Sequence, residues 1–544
     1  MWFKKKNPLP HVSFEEVLLD AENLGEFEQE RMEGRIEEPL SPFLFFLVTL
    51  VVGFVGILFF GQSAALMFME GAKWQARAEQ NHFETVGILP KRGVFFDRFG
   101  TNLFNEERLL FFPEPFSHII GFVGKNEAKG KIGLEAVFDK SLRGVDGEHS
   151  LEVNARGDII SEGTVRQPIA GENMSLTIDA DLQSVAYRIV QESITQRGFK
   201  GGAAIIFDLA GGEILSLVSV PGYNANALGR GGPPEIIEKL RADASLPFFN
   251  RAIAGRYHPG SIIKPVVAAA ALEERVIGPA DIIVSEGALR VPNPYRTGEE
   301  SIFLDWKAHG PVDMRQAIAV SSNVYFYVVG GGFKDIEGLG IRRLAQWFAR
   351  FGLGSKTNIA LAGEEEGVLP DPDQKALYHP ENPEWRLGDT YHASIGQGDF
   401  LVTPLQIARM LALIANNGTA PAFRFTPLLK NADSGTDGSF SVVLKEETFR
   451  VIKEGMRRAV QEGTATALSH VPAGVAGKTG TAEFGDKKRV HSWFMGFAPY
   501  ENPRIGMTIL LESGPRQNLV GAPYAASQMF DWITAHRDYL KLDE

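Results

Sequence analysis

Three short stretches of the sequence carry residue types that could form a nucleophilic active site. Ser261 precedes Lys264 by three residues in RYHPGSIIKP. The tripeptide SSN begins at Ser321 in AVSSNVYFY, and KTG begins at Lys478 in KTGTAEF. A serine hydroxyl is a weak nucleophile until a neighbouring base, such as a neutral lysine amine, accepts its proton. The first stretch could therefore supply a serine nucleophile with a lysine as its base.

The spacing of that first pair predicts a shared helix face. Proline is tolerated only in the first turn of a helix, so Pro265 places the helix start near Ser261. Residues Ser261 and Lys264 are then at positions i and i+3. For an isolated pair, a capping serine followed by a lysine whose stem crosses apolar surface is the better explanation. About two such pairs are expected by chance in a chain this long, so the other stretches must decide.

Each of the other two stretches also has an ordinary structural explanation. The SSN tripeptide is at the head of a predicted helix, where it would act as a helix cap. The lysine of KTG lies in a predicted strand, where it would face solvent. A phosphate-binding loop is rejected because Pro472 stands where its first glycine belongs and a strand, not a helix, follows.

The surrounding pattern predicts an α+β fold. A helix opens at Asp179, and a hairpin follows with strands at 203–207 and 214–220. Three more strands are predicted near the C-terminus in VAGKTGTAEF, HSWFMGFAPY and RIGMTILLES, with a closing helix at 524–537. Residues 250–465 are mainly helical in pattern. Strands at both ends with helices inserted predict one antiparallel sheet assembled from distant segments.

Composition and hydropathy exclude some classes of protein and predict a membrane span. The net charge of −12 argues against a nucleic-acid partner, and the absence of cysteine excludes disulfides, a thiol nucleophile and cysteine-ligated zinc. Residues 43–69 carry no charge, which is typical of a transmembrane helix. A cleaved signal peptide is the alternative. Residues 1–40 read as an acidic tail, and the distribution of Lys and Arg does not fix the orientation.

Penicillin-binding proteins and class A β-lactamases carry the same three motifs in the same order. Over residues 90–540 the chain resembles the class B, elongation-type penicillin-binding protein 2 family. The resemblance extends to RGVFFDRFG, HIIGFVG, GLEAVFDKSLRG, LTIDADLQ, GEILSLVSVPGYNAN, GDTYHASIGQGDFLVTPLQIA and WFMGFAPY. The IGQG-x-x-x-x-TPLQ form favours the elongation branch over the division branch.

The resemblance implies a domain order. It implies a cytoplasmic tail (1–40), a transmembrane helix (41–69), a β-rich pedestal of the dimerisation type (70–172) and a transpeptidase domain (173–544) with a helical subdomain. The family usually has a sizeable head subdomain between the R-G-x-x-x-D-R-x-G and H-x-I-G-x-V-G segments. Here 15 residues (103–117) separate Asn102 from His118, so the pedestal is expected to be truncated.

The resemblance also implies roles for individual residues. Ser261 would form the acyl-enzyme, and Lys264 would be its base if burial and the charge of Lys478 keep it neutral. Ser321 would carry a proton to the leaving amine, and Asn323 would position the substrate. The substrate carboxylate would be held by the strand residues Lys478, Thr479, Gly480 and Thr481. The oxyanion would meet the N–H groups of Ser261 and Thr481.

The implied substrate is the D-Ala-D-Ala end of a peptidoglycan stem peptide, with an amine of a neighbouring stem as acceptor. β-Lactams would inhibit the enzyme covalently. A membrane glycosyltransferase of the elongation machinery is the expected partner, and the catalytic domain would face outward from the cytoplasmic membrane. No cofactor or metal is expected, and His258, His309 and His491 are expected to be structural.

Three alternatives follow from the same motifs. A membrane-held β-lactamase would need a glutamate to activate a deacylating water, and residues 364–366 supply glutamates between the second and third motifs. A non-enzymatic β-lactam sensor would need a cytoplasmic signalling domain, for which a 40-residue tail is too small. A bifunctional class A protein would need a glycosyltransferase domain, for which residues 70–170 are too few.

Overall fold

A computed structural model describes most of the chain. The described residues are 42–73, 83–124, 129–153, 159–229, 234–294, 296, 298–427, 438–484, 488–516 and 521–541. The acidic tail predicted for 1–40, most of the juxtamembrane segment 70–81 and the turn predicted at 485–488 lie wholly or largely outside them. The chain divides into two compact units, Met1–Val86 with His149–Val165 and Gly87–Glu148 with Arg166–Glu544.

The helices are labelled in chain order. They are α1 (Pro42–Met69), α2 (Gly133–Val137), α3 (Asp139–Arg143), α4 (Ala180–Arg197), α5 (Ala225–Gly229), α6 (Pro234–Ala242), α7 (Lys264–Glu273), α8 (Met314–Val320), α9 (Asn323–Gly331), α10 (Gly340–Arg350), α11 (Pro372–Tyr378), α12 (Leu387–Ser394), α13 (Pro404–Ala415), α14 (Glu446–Gln461) and α15 (Ala522–His536). Single 3₁₀ turns occur at Gly260–Ile263, Thr466–Leu468 and Asp538–Leu540.

The strands are labelled in the same way. They are β1 (Phe83–Ile88), β2 (Phe95–Phe96), β3 (Gly147–Val153), β4 (Ile159–Arg166), β5 (Met174–Ser175), β6 (Gly201–Asp208), β7 (Ile214–Val220), β8 (Ile283–Ser285), β9 (Ala288–Pro292), β10 (Glu300–Leu304), β11 (Gly310–Val312), β12 (Thr419–Ala420), β13 (Phe440–Ser441), β14 (Ala476–Phe484), β15 (Arg489–Ala498) and β16 (Ile505–Pro515).

Helix α1 is apolar from end to end. It is long and apolar enough to cross a membrane, and none of its residues is buried against the rest of the protein. Its bounds agree with the span predicted from the uncharged run of the sequence. Strands β1, β3 and β4 form a three-stranded sheet in the order β1-β3-β4.

The central sheet is assembled from two distant parts of the sequence. Its order is β14-β15-β16-β6-β7, and every neighbouring pair is antiparallel. Side chains of successive residues point to opposite faces of the sheet, so one strand can contribute side chains to a hydrophobic core on each face. Ile205 and Trp493 pack into the core that also contains α7 and α13, whereas Ile206 and Phe494 pack into the core beside α4 and α15. The predicted α+β fold with one antiparallel sheet is confirmed.

The segment before α7 differs from the sequence-based expectation. The α-helix begins at Lys264, and Ser261 lies in the preceding 3₁₀ turn. The physical reason is Pro265, which has no N–H to donate to the Ser261 carbonyl. That carbonyl instead accepts from the Lys264 N–H, three residues on, which is the 3₁₀ pattern.

Candidate active site

The turn that carries Ser261 is fitted between a strand and a loop. Gly260 has φ 57°, and a Cβ there would lie 2.7 Å from the Thr481 carbonyl oxygen of β14. On the other side the Gly260 N–H donates to the Gly396 carbonyl at 2.8 Å. Within the described residues the half-buried Ser261 makes no side-chain hydrogen bond. Its hydroxyl is therefore free to react.

Lys264 is fully buried at the start of α7. Its Nζ donates to the Ser321 carbonyl at 2.8 Å and to Asn323 Oδ1 at 2.8 Å, and it lies 3.3 Å from Ser321 Oγ. Burial, and after it the positive charge of Lys478, holds the pKa of Lys264 well below its usual range, while the Asp305 carboxylate acts in the opposite direction. The amine is suited to accept a proton.

Lys478 reaches the same hydroxyl from the sheet. It is fully buried on β14, and its Nζ donates to Ser321 Oγ at 3.0 Å and to the Thr479 carbonyl at 3.0 Å. Burial lowers the pKa of Lys478 to about 7. The fold thus brings the first and third motifs together at one atom of the second.

The SSN motif lies at the head of α9, as the sequence predicted, and Ser321 stands one residue before the cap. It follows the last residue of α8 and has φ 59°, in the left-handed region. The helix head is the next residue, Ser322, whose hydroxyl accepts the Tyr325 N–H at 3.3 Å. This conformation costs a non-glycine residue some backbone strain, and strain of this kind clusters at functional sites. The kink directs both the carbonyl and the hydroxyl of Ser321 to the buried lysines.

Strand β14 is the edge of the central sheet and presents the third motif. Gly480 passes close to the Ser261 turn, where a Cβ would lie 3.0 Å from the Pro259 carbonyl oxygen. The Thr479 hydroxyl donates to Thr464 Oγ1 at 2.7 Å, and Thr481 is exposed. Because the N–H and C=O of one residue point to the same side of a strand, the Thr481 N–H is directed towards the Ser261 turn.

Sequence reasoning missed two side chains at this site. Asp305 lies behind Asn323 and is hydrogen-bonded to its backbone N–H at 2.9 Å. Thr464 supports the hydroxyl of Thr479. Neither belongs to a recognisable motif, and each lies in a different element from the residue that it contacts. No pattern in the sequence alone could have found them.

The three histidines singled out by their position near the motifs are largely buried. His258 Nδ1 lies 3.1 Å from the Phe400 carbonyl oxygen, and burial lowers the pKa of this ring. Burial, and after it the charge of His258, lowers the pKa of His491 to about 3. The pKa of His309 is lowered first by burial as well. In the part of the chain that the structure describes, no group of three or more His, Cys, Asp or Glu side chains could hold a metal ion.

Comparison with known proteins identifies the family. The family model for the penicillin binding protein transpeptidase domain matches residues 202–529, and that for the penicillin-binding protein dimerisation domain matches residues 105–176. The chain belongs to the penicillin-binding protein transpeptidase family. The resemblance seen in the motifs is therefore confirmed.

Named relatives and solved structures agree with this assignment. The chain is 32% identical to the peptidoglycan D,D-transpeptidase MrdA of Haemophilus influenzae, over 78% of this chain and 69% of the relative. The Pseudomonas aeruginosa PBP2 crystal structure in complex with WCK 5153 is 29% identical, with a TM-score of 0.67, and the match covers 84% of this chain and 98% of that chain. These names agree with the predicted enzyme class.

The chain is also similar to a solved structure described as the structural coordination of polymerization and crosslinking by a peptidoglycan synthase complex. It is 25% identical with a TM-score of 0.68, and the match covers 92% of this chain and 99% of that chain. The chain spans 65% and 69% of the length of two curated MrdA relatives.

Proposed function

We propose that this protein is a serine-type peptidoglycan D,D-transpeptidase that cross-links stem peptides during cell elongation. The observation that carries the proposal is the meeting of Lys264 and Lys478 at Ser321 Oγ, in a site whose first motif contributes the half-buried Ser261. Two buried amines at one hydroxyl provide both a proton acceptor and a cation for an anionic substrate. Membership of the transpeptidase family supports the same reaction.

Acylation begins with the transfer of the Ser261 proton to the neutral amine of Lys264. The serine oxygen then attacks the carbonyl carbon between the two terminal D-Ala residues of the stem peptide. Negative charge develops on the carbonyl oxygen, which would be held by the N–H groups of Ser261 and Thr481. The close contact between the Gly260 backbone and Thr481 supports this pairing.

Departure of the terminal D-Ala requires a proton on its amine. Ser321 is proposed to deliver that proton, since its hydroxyl is within hydrogen-bond distance of both lysine amines. An amine of a neighbouring stem peptide then attacks the acyl carbon, loses a proton and forms the cross-link, while the ester bond to Ser261 breaks and the Ser261 oxygen takes back a proton by way of Lys264. Asn323, whose amide oxygen already contacts Lys264, would position the substrate.

The open edge of β14 is proposed to bind the substrate. An extended peptide can add to an exposed strand edge through backbone hydrogen bonds. Lys478 would attract the terminal carboxylate, and the hydroxyls of Thr479 and Thr481 would hydrogen-bond to it. Gly480 leaves room for the strand to lie against the nucleophile's turn.

The proposal includes the position of the protein in the cell. Helix α1 would anchor a single-pass protein in the cytoplasmic membrane, with 1–40 inside and both the pedestal (70–172) and the transpeptidase domain (173–544) outside, where peptidoglycan is built. Protease added to intact spheroplasts should digest the C-terminal part. Protection of that part would contradict this orientation.

A membrane glycosyltransferase of the elongation machinery is the proposed partner. The likeness to a chain of a peptidoglycan synthase complex supports this. Co-purification from detergent-solubilised membranes tests it, because an interaction that depends on the membrane domain should be lost when α1 is replaced by an unrelated membrane helix. Unchanged co-purification would place the contact elsewhere.

The β-lactamase alternative receives no support from the glutamates that it requires. Glu364 is buried and its carboxylate accepts hydrogen bonds from the Thr357 N–H and hydroxyl and from the Asn358 N–H. Glu365 and Glu366 are exposed side chains of the same loop. The buried one holds a loop together, so its oxygens are not available to activate water.

Labelling with fluorescent penicillin tests the proposed reaction. The purified protein should be labelled covalently and keep the label for hours, and Ser261→Ala should abolish labelling. Ser469→Ala, at an exposed serine, is the matched control and should label as the unaltered protein does. Labelling that persists in Ser261→Ala would identify another nucleophile, and hydrolysis of penicillin within seconds would favour a β-lactamase.

A further inference from the structure

Asp305 is a buried carboxylate in the loop between β10 and β11. Its side chain is 0% exposed. It accepts hydrogen bonds from the hydroxyls of Ser285 at 2.9 Å and Ser322 at 2.7 Å. It also accepts from the backbone N–H groups of Asn323 at 2.9 Å and Val324 at 3.0 Å. The Trp306 N–H donates to the same carboxylate at 2.9 Å, so five donors converge on it.

We infer that Asp305 is a positioning residue, which holds the turn from Ser321 to Asn323 in the geometry that receives the Lys264 amine. This inference rests on the proposed transpeptidase function and adds to it a residue that does not touch the substrate.

The hydrogen bonds explain how a charged group is retained in the interior. An ionised carboxylate away from water is costly unless it is paired or hydrogen-bonded. Burial acts to raise the pKa of Asp305, but the bonds from the Asn323 N–H, the Ser322 hydroxyl and the Val324 N–H, together with the charge of Lys264, hold it below its usual value. Asp305 remains a carboxylate and satisfies two of the free N–H groups at the start of α9.

The position of these bonds connects Asp305 to the reacting groups. Ser321 is in a strained left-handed conformation, and the two residues after it are held by Asp305 through the Ser322 hydroxyl and the Asn323 N–H. The Ser321 carbonyl and the Asn323 amide oxygen are the acceptors of the Lys264 amine. Fixing the chain immediately after the kink thus fixes the acceptors that orient the proposed base.

Asp305 also acts on that base through its charge. The titratable groups that face Lys264 are Lys478 from β14, and Asp305 and His309 from the loop between β10 and β11; Lys307 lies beside His309. Asp305 raises the pKa of Lys264, against burial and Lys478. Neutralising Asp305 therefore lets the pKa of Lys264 fall further. The acylation rate falls at low pH because Lys264 becomes protonated, and we call this fall the acidic limb of the pH profile. In the variant the acidic limb should move to lower pH.

The test compares Asp305→Asn with Asp313→Asn by the second-order rate of acylation with penicillin as a function of pH. Asp313 caps α8 by accepting the Gln316 N–H at 2.8 Å, so it is a helix-capping aspartate in the same region whose cap bond does not involve the Ser321 turn. Asp305→Asn should slow acylation on the order of tenfold to a hundredfold. Its acidic limb should lie at lower pH. Asp313→Asn should change neither quantity.

The possible results separate this inference from the proposed function. If the unaltered protein is not acylated, the proposed function fails first. If it is acylated, and a folded Asp305→Asn shows either an unchanged rate or a slower rate with an unmoved limb, the positioning role is overturned. Should Asp305→Asn not fold, Ser285→Ala removes one donor and keeps the carboxylate; slower acylation would support the inference, and an unchanged rate would overturn it.

Discussion

The start of α7 and the edge strand β14 each bring a fully buried lysine to the hydroxyl of Ser321. The distances are 3.3 Å for Lys264 and 3.0 Å for Lys478. Their surroundings differ, because Lys264 is affected by burial and by the charge of Lys478, whereas burial alone lowers the pKa of Lys478 to about 7. Two identical side chains at one atom can therefore be in different protonation states at neutral pH.

The elements that carry the two lysines reinforce the difference. Lys264 lies one turn after Ser261 and donates to the Ser321 carbonyl and to Asn323. Lys478 lies beside the open edge of β14, where Thr479 contributes a hydroxyl. A position next to the nucleophile suits a base, and a position along a strand edge suits a cation that binds a carboxylate.

Of the substitutions that distinguish the two lysines, Lys264→Arg is expected to reduce the acylation rate most. Lys264→Arg keeps the positive charge, but guanidinium does not accept a proton. Acylation by penicillin should fall on the order of a hundredfold or more, as for a lost general base. The measurement is the second-order acylation rate, with the melting temperature as the control for folding. If Lys264→Arg is acylated at nearly the rate of the unaltered protein, Lys264 is a structural residue and not the base.

A smaller effect is expected at position 478. Below a pH of about 7 the Lys478 amine is protonated, and above it the charge that attracts the substrate carboxylate is lost. Acylation of the free enzyme should therefore decline on the alkaline side. Lys478→Arg should cost on the order of tenfold or less, because charge rather than proton transfer is conserved, and the alkaline decline should disappear. A loss as large as that of Lys264→Arg, or an unchanged alkaline limb, would break the distinction between the lysines.

The smallest effect is expected at the hydroxyl that supports the strand edge. Thr464→Val removes the acceptor of the Thr479 hydroxyl with little change of shape. The loss of one hydrogen bond, about 1 kcal/mol, corresponds to about fivefold slower acylation. The acidic limb should not move, since Thr464 does not contact Lys264. A shift of the acidic limb would show that Thr464 also affects the pKa of Lys264.

Several features of the fold and site were predictable because local pattern decides them. The hairpin of β6 and β7 follows from two apolar runs around a glycine-containing turn, and the uncharged run predicts that α1 is long and apolar enough to cross a membrane. Other features depend on the conformation of a single residue, which the sequence pattern did not predict. Pro265 did mark the helix start, but its missing N–H also converts the preceding turn to 3₁₀ geometry. The SSN motif was correctly placed at the head of a helix, but the pattern did not predict that Ser321 adopts a left-handed conformation at the end of the preceding helix.

The sequence by itself determined the three motifs and their order, the family, the strands of the sheet and the long apolar helix α1, because periodicity and short-range spacing encode them. Only the tertiary structure decided that Lys264 and Lys478 meet at Ser321, and that Asp305 and Thr464 support them. The protonation state of a buried lysine depends on burial and on charges far away in the sequence. Those quantities exist only after the sheet has brought its distant strands together with the inserted helices.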